Sequence, residues 1–221
     1  LDFTFSPSFD GRWHDPSRTP AERVRAGYDA VRRGAGDDAF LLGCGAPLAN
    51  IVGVVDGNRI GQDVAPLWAL DPTAEIIPGY LAIQPATRHA YANTVTRSFM
   101  HRRMWLNDPD CVMLRTSQTD LSPAAARTWA HAVAVSGGMA LVSDDLALLG
   151  AADRAVLEEV VAIGRQSDAA ATSGLPARSP DLLDVAVPTT FEGAGHRLVV
   201  DPGTGASTFT PTANGDRGQT P

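Results

Sequence analysis

The chain has 221 residues, of which 44% are hydrophobic and 19% are charged. This composition is typical of globular domains with a packed core and excludes disordered and fibrous proteins. The net charge of -7, without a block of like charges, argues against nucleic acid and anionic membrane surfaces as partners. No apolar run approaches the roughly 20 residues of a transmembrane helix. We therefore expect a neutral partner.

The two cysteines, Cys44 and Cys111, are too few for a disulfide scaffold and lack the paired spacing of a zinc site. They are predicted to be free thiols in a reducing compartment, the cytoplasm. The run Leu1-Asp2-Phe3 is interpreted as the end of a buried strand, so the chain is expected to be a piece of a longer protein.

Residues 1 to about 170 alternate strand-like apolar runs with helical segments, which predicts an α/β fold with a parallel sheet. Thr19-Pro20-Ala21-Glu22 predicts a helix start, and Gly34 and Gly36 predict its end. Another helix is predicted to start at Ser122-Pro123. The other predicted elements are strands at 39–43, 51–55, 111–115 and 139–143 and helices at 87–105 and 151–166.

Beyond Ser167 the sequence becomes rich in Pro, Gly and Thr, with alternating runs such as Leu198-Val199-Val200. This pattern predicts the start of an antiparallel β-domain. The tail at 203–221 reads as a loop, a disordered end or a truncated strand pair. We therefore divide the chain into residues 1–170 and residues 171–221.

Several polar residues follow predicted strands, where parallel barrels carry their functional groups. These residues are Asp2, Cys44, Gly45, Arg59 and Asp63. If Asp2 and Asp63 follow strands that are next neighbours but one, their backbones lie about 10 Å apart. Inward-pointing side chains would shorten this separation. On spacing alone, ordinary loop or capping aspartates are the favoured interpretation of both residues.

Two carboxyl groups about 5 to 5.5 Å apart are the arrangement of a retaining glycosidase. One carboxylate attacks the anomeric carbon, while the other carboxyl group protonates the leaving oxygen. The attacking group must stay ionised near neutral pH, and the acid must hold its proton until the first step. Asp63 has the more apolar neighbourhood, which favours it as the acid.

Five segments carry a resemblance to a known family and cover most of residues 1–170. Together they resemble α-galactosidases of glycoside hydrolase family 36. The segments are Leu1-Asp2-Phe3, Leu42-Gly43-Cys44-Gly45-Ala46-Pro47, Arg59-Ile60-Gly61-Gln62-Asp63-Val64-Ala65-Pro66-Leu67-Trp68, Arg97-Ser98-Phe99-Met100-His101-Arg102-Arg103-Met104-Trp105-Leu106-Asn107-Asp108-Pro109-Asp110 and Leu141-Val142-Ser143-Asp144-Asp145-Leu146.

The resemblance implies the C-terminal part of a (β/α)8 TIM barrel, followed by the start of a small antiparallel β-sandwich domain. It implies Asp2 as nucleophile and Asp63 as general acid/base, with retention of configuration and no metal or organic cofactor. Cys44 and Gly45 would line the pocket floor, and Arg59 would bind a sugar hydroxyl. The chain lacks the Lys that the family usually has two residues before the nucleophile, which weakens the identification of the sugar.

For Cys44, a buried inert thiol is an equally good interpretation. Other polar groups are expected to form caps and turns rather than metal sites. His101 is expected to lie on a helix with its arginine neighbours. The cap and turn groups are His14-Asp15, Asn107-Asp108-Pro109-Asp110 and Asp144-Asp145.

The predicted activity is hydrolysis of terminal non-reducing α-D-galactosyl groups of oligosaccharides, and the predicted partner is such an α-galactoside. Related activities stay open, namely α-N-acetylgalactosaminidase action or galactosyl transfer, as does a non-catalytic fragment. A phosphate-binding barrel enzyme is disfavoured, because Asp144 and Asp145 stand where anion donors would be needed. A homo-oligomer of the full-length protein is left open.

Overall fold

A computed structural model describes residues 1–71 and 84–212 of the chain. Parallel strands alternate with helices up to α5, and an antiparallel sheet follows. The helices are α1 (Pro20–Ala35), α2 (Leu48–Ile51), α3 (Thr87–Thr96), α4 (Pro123–Ser136) and α5 (Ala151–Thr172). The strands are β1 (Leu42–Gly43), β2 (Gly57–Arg59), β3 (Leu106–Asp108), β4 (Cys111–Val112), β5 (Leu141–Val142), β6 (Thr190–Gly193), β7 (His196–Val200) and β8 (Ser207–Pro211).

The start of α1 confirms its sequence signal. The Thr19 hydroxyl accepts from the Glu22 amide, and the Glu22 carboxylate accepts from the Thr19 amide at 2.8 Å, which completes a capping box. Gly36, at φ 79°, caps the other end, whereas Gly34 lies inside the helix. Of these two glycines, only Gly36 has a positive φ, which glycine adopts without the steric cost that other residues meet.

The predicted strand at 51–55 is wrong. Ile51 ends α2, and the chain then turns through Gly53, at φ 77°, before β2 begins at Gly57. Ile51, Val54 and Val55 are buried against α1. A short apolar run indicates burial but does not separate a strand from a buried turn.

The predicted helix at 87–105 is too long. It ends at Thr96, a 3-10 turn follows at Ser98–Met100, and Arg102 adopts φ 62°. The expectation that His101 lies on a helix is therefore wrong. The strand β3 was not predicted. The predicted helix ended at residue 105, directly before Leu106, where β3 begins.

The strands β1, β2 and β3 form one parallel sheet, in which Arg59 is in register with Asp108. Leu1 extends this sheet beside β1, because its amino group donates to Leu42 O at 2.8 Å and its carbonyl accepts from Cys44 N at 2.7 Å. Leu1 is not assigned to a strand and is exposed, unlike the buried strand end predicted for it. The strands β4 and β5 form a second parallel pair.

The main core is built around α4, whose start at Ser122-Pro123 confirms the prediction. Small alanine side chains let neighbouring elements approach closely, and Trp129 is fully buried there. Its indole N–H donates to Cys111 O at 2.8 Å. This helix therefore joins the parallel strands to the rest of the molecule.

The C-terminal part confirms the predicted change to antiparallel structure, with the strand order β6-β7-β8. The helix α5 runs to Thr172, beyond its predicted end at 166. Thr128 on α4 donates to Gly205 O at 2.7 Å, which ties the sheet to α4.

Within the predicted tail, Ser207–Pro211 forms a strand, and residues 213–221 lie outside the described part. No helix in the described ranges is long and apolar enough to cross a membrane.

Candidate active site

The predicted site residues gather at the carboxyl edge of the first parallel sheet. Asp2 follows the residue that pairs with β1, Cys44 follows β1, and Arg59 ends β2. Because parallel strands end at the same edge, these side chains share one side of the sheet. The order matches the predicted spacing, since β1 separates Leu1 from β2.

Asp2 is an exposed carboxylate with two local donors. The Cys44 thiol donates to it, and the Phe3 amide donates to its Oδ1 at 2.8 Å. These hydrogen bonds, the thiol first, lower the pKa of Asp2 from 3.8, and the charge of Arg59 acts in the same direction. Asp2 is therefore ionised at neutral pH, as a carboxylate nucleophile must be.

The Cys44 thiol is a donor rather than a thiolate. Burial, followed by its hydrogen bond to Asp2, raises the pKa of Cys44 to about 11. A protonated thiol can donate to Asp2 without adding negative charge. This contact gives Cys44 a place in the site beyond packing.

Arg59 is the centre of an ion-pair cluster. Its Nε lies 3.1 Å from Asp108 Oδ2, while its Nη1 lies 2.8 Å from Asp110 Oδ2 and 3.1 Å from Asp63 Oδ1. Burial opposes the charge of Arg59, but the two buried carboxylates outweigh it and raise its pKa. Arg59 therefore stays a cation that contacts three aspartate side chains.

Asp63 differs from the other acidic partners of Arg59 in its exposure. Its side chain is 70% exposed, against 1% for Asp108 and 7% for Asp110. An exposed carboxyl group can reach a ligand from solvent, whereas the buried two cannot. The accessible acid of the cluster is thus the one that the sequence singled out.

The segment that carries Asp63 is tied to its surroundings on both sides. The Val64 amide donates to Asp110 Oδ2 at 2.8 Å, and the Arg97 guanidinium donates to the Ile60 carbonyl. The Asn93 amide also donates to Gln62 Oε1 at 2.5 Å. The exposed carboxyl group therefore sits on a restrained backbone.

Gly45 lies where a side chain would not fit easily. Its φ is 58°, and a Cβ there would lie 3.3 Å from Phe5 Cδ1 and 3.5 Å from the Phe3 backbone. A left-handed backbone next to a close neighbour favours glycine. Gly45 thus lets the chain after β1 pass beside the Asp2 segment.

Sequence reasoning missed Asp108 and Asp110 as members of this cluster. It expected turn residues, and both do form turn hydrogen bonds: the Asp110 amide donates to Asp108 Oδ1 at 2.9 Å, and the Cys111 amide donates to Asp110 Oδ1 at 2.7 Å. The contacts with Arg59 come in addition. The available signal was an acidic pair around Pro109 directly after β3.

Asp145 and Asp15 act as predicted, as a cap and a turn residue, whereas Asp144 makes long-range contacts instead of capping the next turn. Asp145 Oδ1 accepts from the Ala147 amide at 2.9 Å, and Asp15 Oδ1 accepts from the Ser17 amide at 3.0 Å. Asp144 is fully buried and accepts from the Leu114 amide and from Arg115. In residues 1–71 and 84–212, no group of three or more His, Cys, Asp or Glu side chains has the arrangement of a metal site.

No family model matches the sequence. Among solved structures, the chain is similar to the α-galactosidase TtGalA of Thermus thermophilus in complex with p-nitrophenyl α-D-galactopyranoside, with 26% identity, a TM-score of 0.64 and coverage of 91% of this chain. The same enzyme in complex with stachyose matches 73% of the chain at 29% identity and a TM-score of 0.58. The predicted resemblance to α-galactosidases is therefore confirmed.

A third similar structure is α-galactosidase I from Mortierella vinacea, with 15% identity, a TM-score of 0.56 and coverage of 81% of this chain. At that identity the likeness concerns the fold alone. The chain covers 36% of the Thermus chain in the first complex, 33% in the second and 46% of the Mortierella chain. It thus spans less than half the length of these proteins.

Proposed function

We propose that the chain is part of a retaining α-galactosidase of glycoside hydrolase family 36 that hydrolyses terminal non-reducing α-D-galactosyl residues of oligosaccharides. Residues 1–170 would form the C-terminal part of the (β/α)8 catalytic barrel, and residues 171–221 would begin a β-sandwich domain. The alternation of parallel strands and helices, followed by an antiparallel sheet, supports this division.

In the proposed reaction, Asp2 attacks the anomeric carbon and Asp63 protonates the leaving oxygen. The glycosidic bond breaks as the bond from Asp2 to the sugar forms. Asp63 then removes a proton from water, which attacks the same carbon and releases Asp2. The mechanism needs two carboxyl groups and neither a metal nor an organic cofactor.

One observation carries the proposal: an ionised Asp2 and an accessible Asp63 belong to one charge cluster at the carboxyl edge of a parallel sheet. Cys44 joins them, since Asp2, Asp63 and Arg59 all act on the pKa of its thiol. The similarity to an α-galactosidase in complex with an α-galactoside supports galactose as the sugar.

Substrate binding is proposed for Arg59, Cys44 and Gly45. A guanidinium offers a rigid fork of donors to sugar oxygens. The small Cys44 thiol would leave room beside Asp2 for an axial hydroxyl, while Gly45 would bring the Asp2 segment close to the end of β1. The contacts of Arg59 with three carboxylates support a fixed orientation for this fork.

The test uses the full-length protein that contains this chain. Release of p-nitrophenol is measured from the α-galactoside, the α-glucoside and the α-N-acetylgalactosaminide for wild type, Asp2→Ala and Asp63→Ala. We expect turnover of the galactoside, lost by at least about a thousandfold in Asp2→Ala. Asp145→Ala, which removes a cap on a 3-10 turn, serves as a control for general damage.

The outcomes separate the parts of the proposal. Preference for the α-N-acetylgalactosaminide would leave the mechanism but replace the sugar. Dominant transfer of galactose to an added acceptor would replace hydrolysis as the main reaction. Full activity of both alanine variants would show that the two aspartates are not the catalytic pair.

A further inference from the structure

We propose that Asp108 and Asp110 are positioning residues, which orient the Arg59 guanidinium beside Asp63 and offset its positive charge there. This inference rests on the proposed function and deepens it. Neither residue would touch the substrate. Their effect would reach the reaction only through Arg59 and through the backbone beside Asp63.

Asp108 and Asp110 hold two different parts of the Arg59 guanidinium. Asp108 fixes the Nε edge of the guanidinium, and Asp110 fixes Nη1, the same nitrogen that contacts Asp63. Asp110 Oδ2 also accepts from the Val64 amide, one residue after Asp63. One carboxylate oxygen therefore anchors both the cation and the backbone that carries the acid.

The charge of Arg59 acts on the neighbouring Asp63 carboxyl group. A cation beside a carboxyl group favours its ionised form. Arg59 acting alone on Asp63 would therefore promote proton loss, which is the wrong direction for a general acid. With Asp108 and Asp110 ionised, the guanidinium already faces two negative charges from the buried side. Its net effect on the exposed carboxyl group is then reduced.

Asp108 and Asp110 are both buried beside a single arginine. Desolvating two carboxylates for one guanidinium is unfavourable, because the Coulomb gain rarely repays the loss of hydration. Turn formation does not require this arrangement either, since Asp15 forms a comparable turn hydrogen bond at an exposed position. The excess of buried negative charge is therefore better explained by its effect on Arg59 than by stability.

The test compares Asp110→Asn and Asp108→Asn with wild type in the full-length protein. Asparagine keeps the shape and one oxygen acceptor but removes the charge. Asp168→Asn is the matched control, because Asp168 is also a carboxylate paired with an arginine, Arg102, but is not in contact with Arg59. Asp108→Asn is the second variant if Asp110→Asn is poorly folded.

The measured quantity is the pH dependence of kcat/KM. Melibiose is the substrate, because its leaving group is a sugar hydroxyl, which departs poorly unless its oxygen is protonated. The alkaline limb reports proton loss from the acid. We expect it to move to lower pH by on the order of one unit in both asparagine variants. With p-nitrophenyl α-galactoside, whose leaving group needs little protonation, the effect on kcat/KM should be smaller.

An unmoved alkaline limb in folded Asp108→Asn and Asp110→Asn would overturn the proposal, and so would an equal shift in Asp168→Asn. Both results differ from failure of the proposed function, in which Asp2→Ala would retain activity. Hydrogen exchange of the segment at 59–68 gives a readout without turnover. Faster exchange in Asp110→Ala than in Asp168→Ala supports the anchoring, and equal exchange contradicts it.

Discussion

Two clusters of arginine and aspartate lie at the two ends of β3, and they differ in charge balance. At the carboxyl end, Arg59 meets three carboxylates. Near the amino end, Asp168 is shared by Arg102, with both oxygens accepting at 2.6 Å, and by the Nε2 of buried His101 at 2.8 Å. One cluster carries excess negative charge, whereas the other is balanced.

Under the proposed function, the difference separates a stabilising ion pair, around Asp168, from a functional one, around Arg59. Asp168 pairs with one permanent cation, Arg102, and accepts a hydrogen bond from the buried imidazole of His101. These two contacts are sufficient to explain why a carboxylate is present there. Around Arg59, two carboxylates are buried and a third is left in solvent. Folding alone does not require such an excess, and its location at the carboxyl edge of the sheet is where the proposed function places the chemistry.

The largest expected effect is that of Arg59→Met. It leaves Asp108 and Asp110 buried without their cation, which should cost about 3 to 5 kcal/mol of unfolding free energy. Adding Asp108→Asn and Asp110→Asn should recover most of this stability but not kcat/KM. Thermal unfolding and turnover of the full-length protein measure the two effects. Recovered activity in the triple variant would remove the functional distinction between the clusters.

The balanced cluster should respond in the opposite way. Asp168→Ala removes the acceptor of His101 Nε2, and His101 is buried, so about 1 to 3 kcal/mol of stability should be lost. Turnover of the folded enzyme should be unchanged. Asp181→Ala, which removes the acceptor of the Thr189 amide, is the matched control. A loss of kcat/KM specific to Asp168→Ala would give this end of β3 a catalytic role.

The balanced cluster also predicts a pH dependence of stability. Burial lowers the pKa of His101 from 6.5, although Asp168 opposes the shift. The folded pKa is thus below the unfolded value, so the stabilising effect is complete above 6.5 and is lost as pH falls through the folded pKa. The free energy of unfolding should therefore decrease as pH falls from 6.5 through the folded pKa of His101.

The role of His101 is tested by measuring the free energy of unfolding of wild type and His101→Gln from pH 6.5 downward. A smaller decrease at acid pH in the variant is expected. The decrease in unfolding free energy that remains in the variant includes the contribution of His131, whose pKa is also lowered, chiefly by burial. An identical decrease in wild type and variant would exclude His101 as a source.

The smallest effect concerns thiol reactivity. The pKa values of Cys44 and Cys111 are both raised from 9.0 to about 11, chiefly by burial. Alkylation by iodoacetamide at neutral pH should therefore be about a hundredfold slower than for a thiol with a pKa of 9.0. Asp2→Asn should accelerate alkylation of Cys44 and leave Cys111 unchanged. Equal acceleration at both would indicate general loosening instead of a specific contact.

Local signals predicted the helices best. The capping box at Thr19 and the Ser122-Pro123 start act within four residues, so the sequence alone contains them. The buried turn at 51–55 and the strand β3 were misjudged, because their structure depends on packing against α1 and pairing with β2. Burial is visible in a sequence, whereas the partner that causes it is not.

The site shows the same division. Asp2, Cys44, Gly45, Arg59 and Asp63 were placed at strand ends by the order of elements and by family resemblance. The contacts of Arg59 with Asp108 and Asp110 span about fifty positions and depend on strand register. A turn-prone acidic pair carries no mark of such a partner, so only the folded chain reveals it.

The most direct test of the central claim is azide rescue of Asp2→Ala in the full-length protein, with the anomeric form of the product determined by NMR. If Asp2 is the nucleophile, azide fills the space of the lost carboxylate and restores turnover, and the product is the β-galactosyl azide. Substantial turnover without azide, or an azide product that retains the α configuration, would contradict the assignment of Asp2.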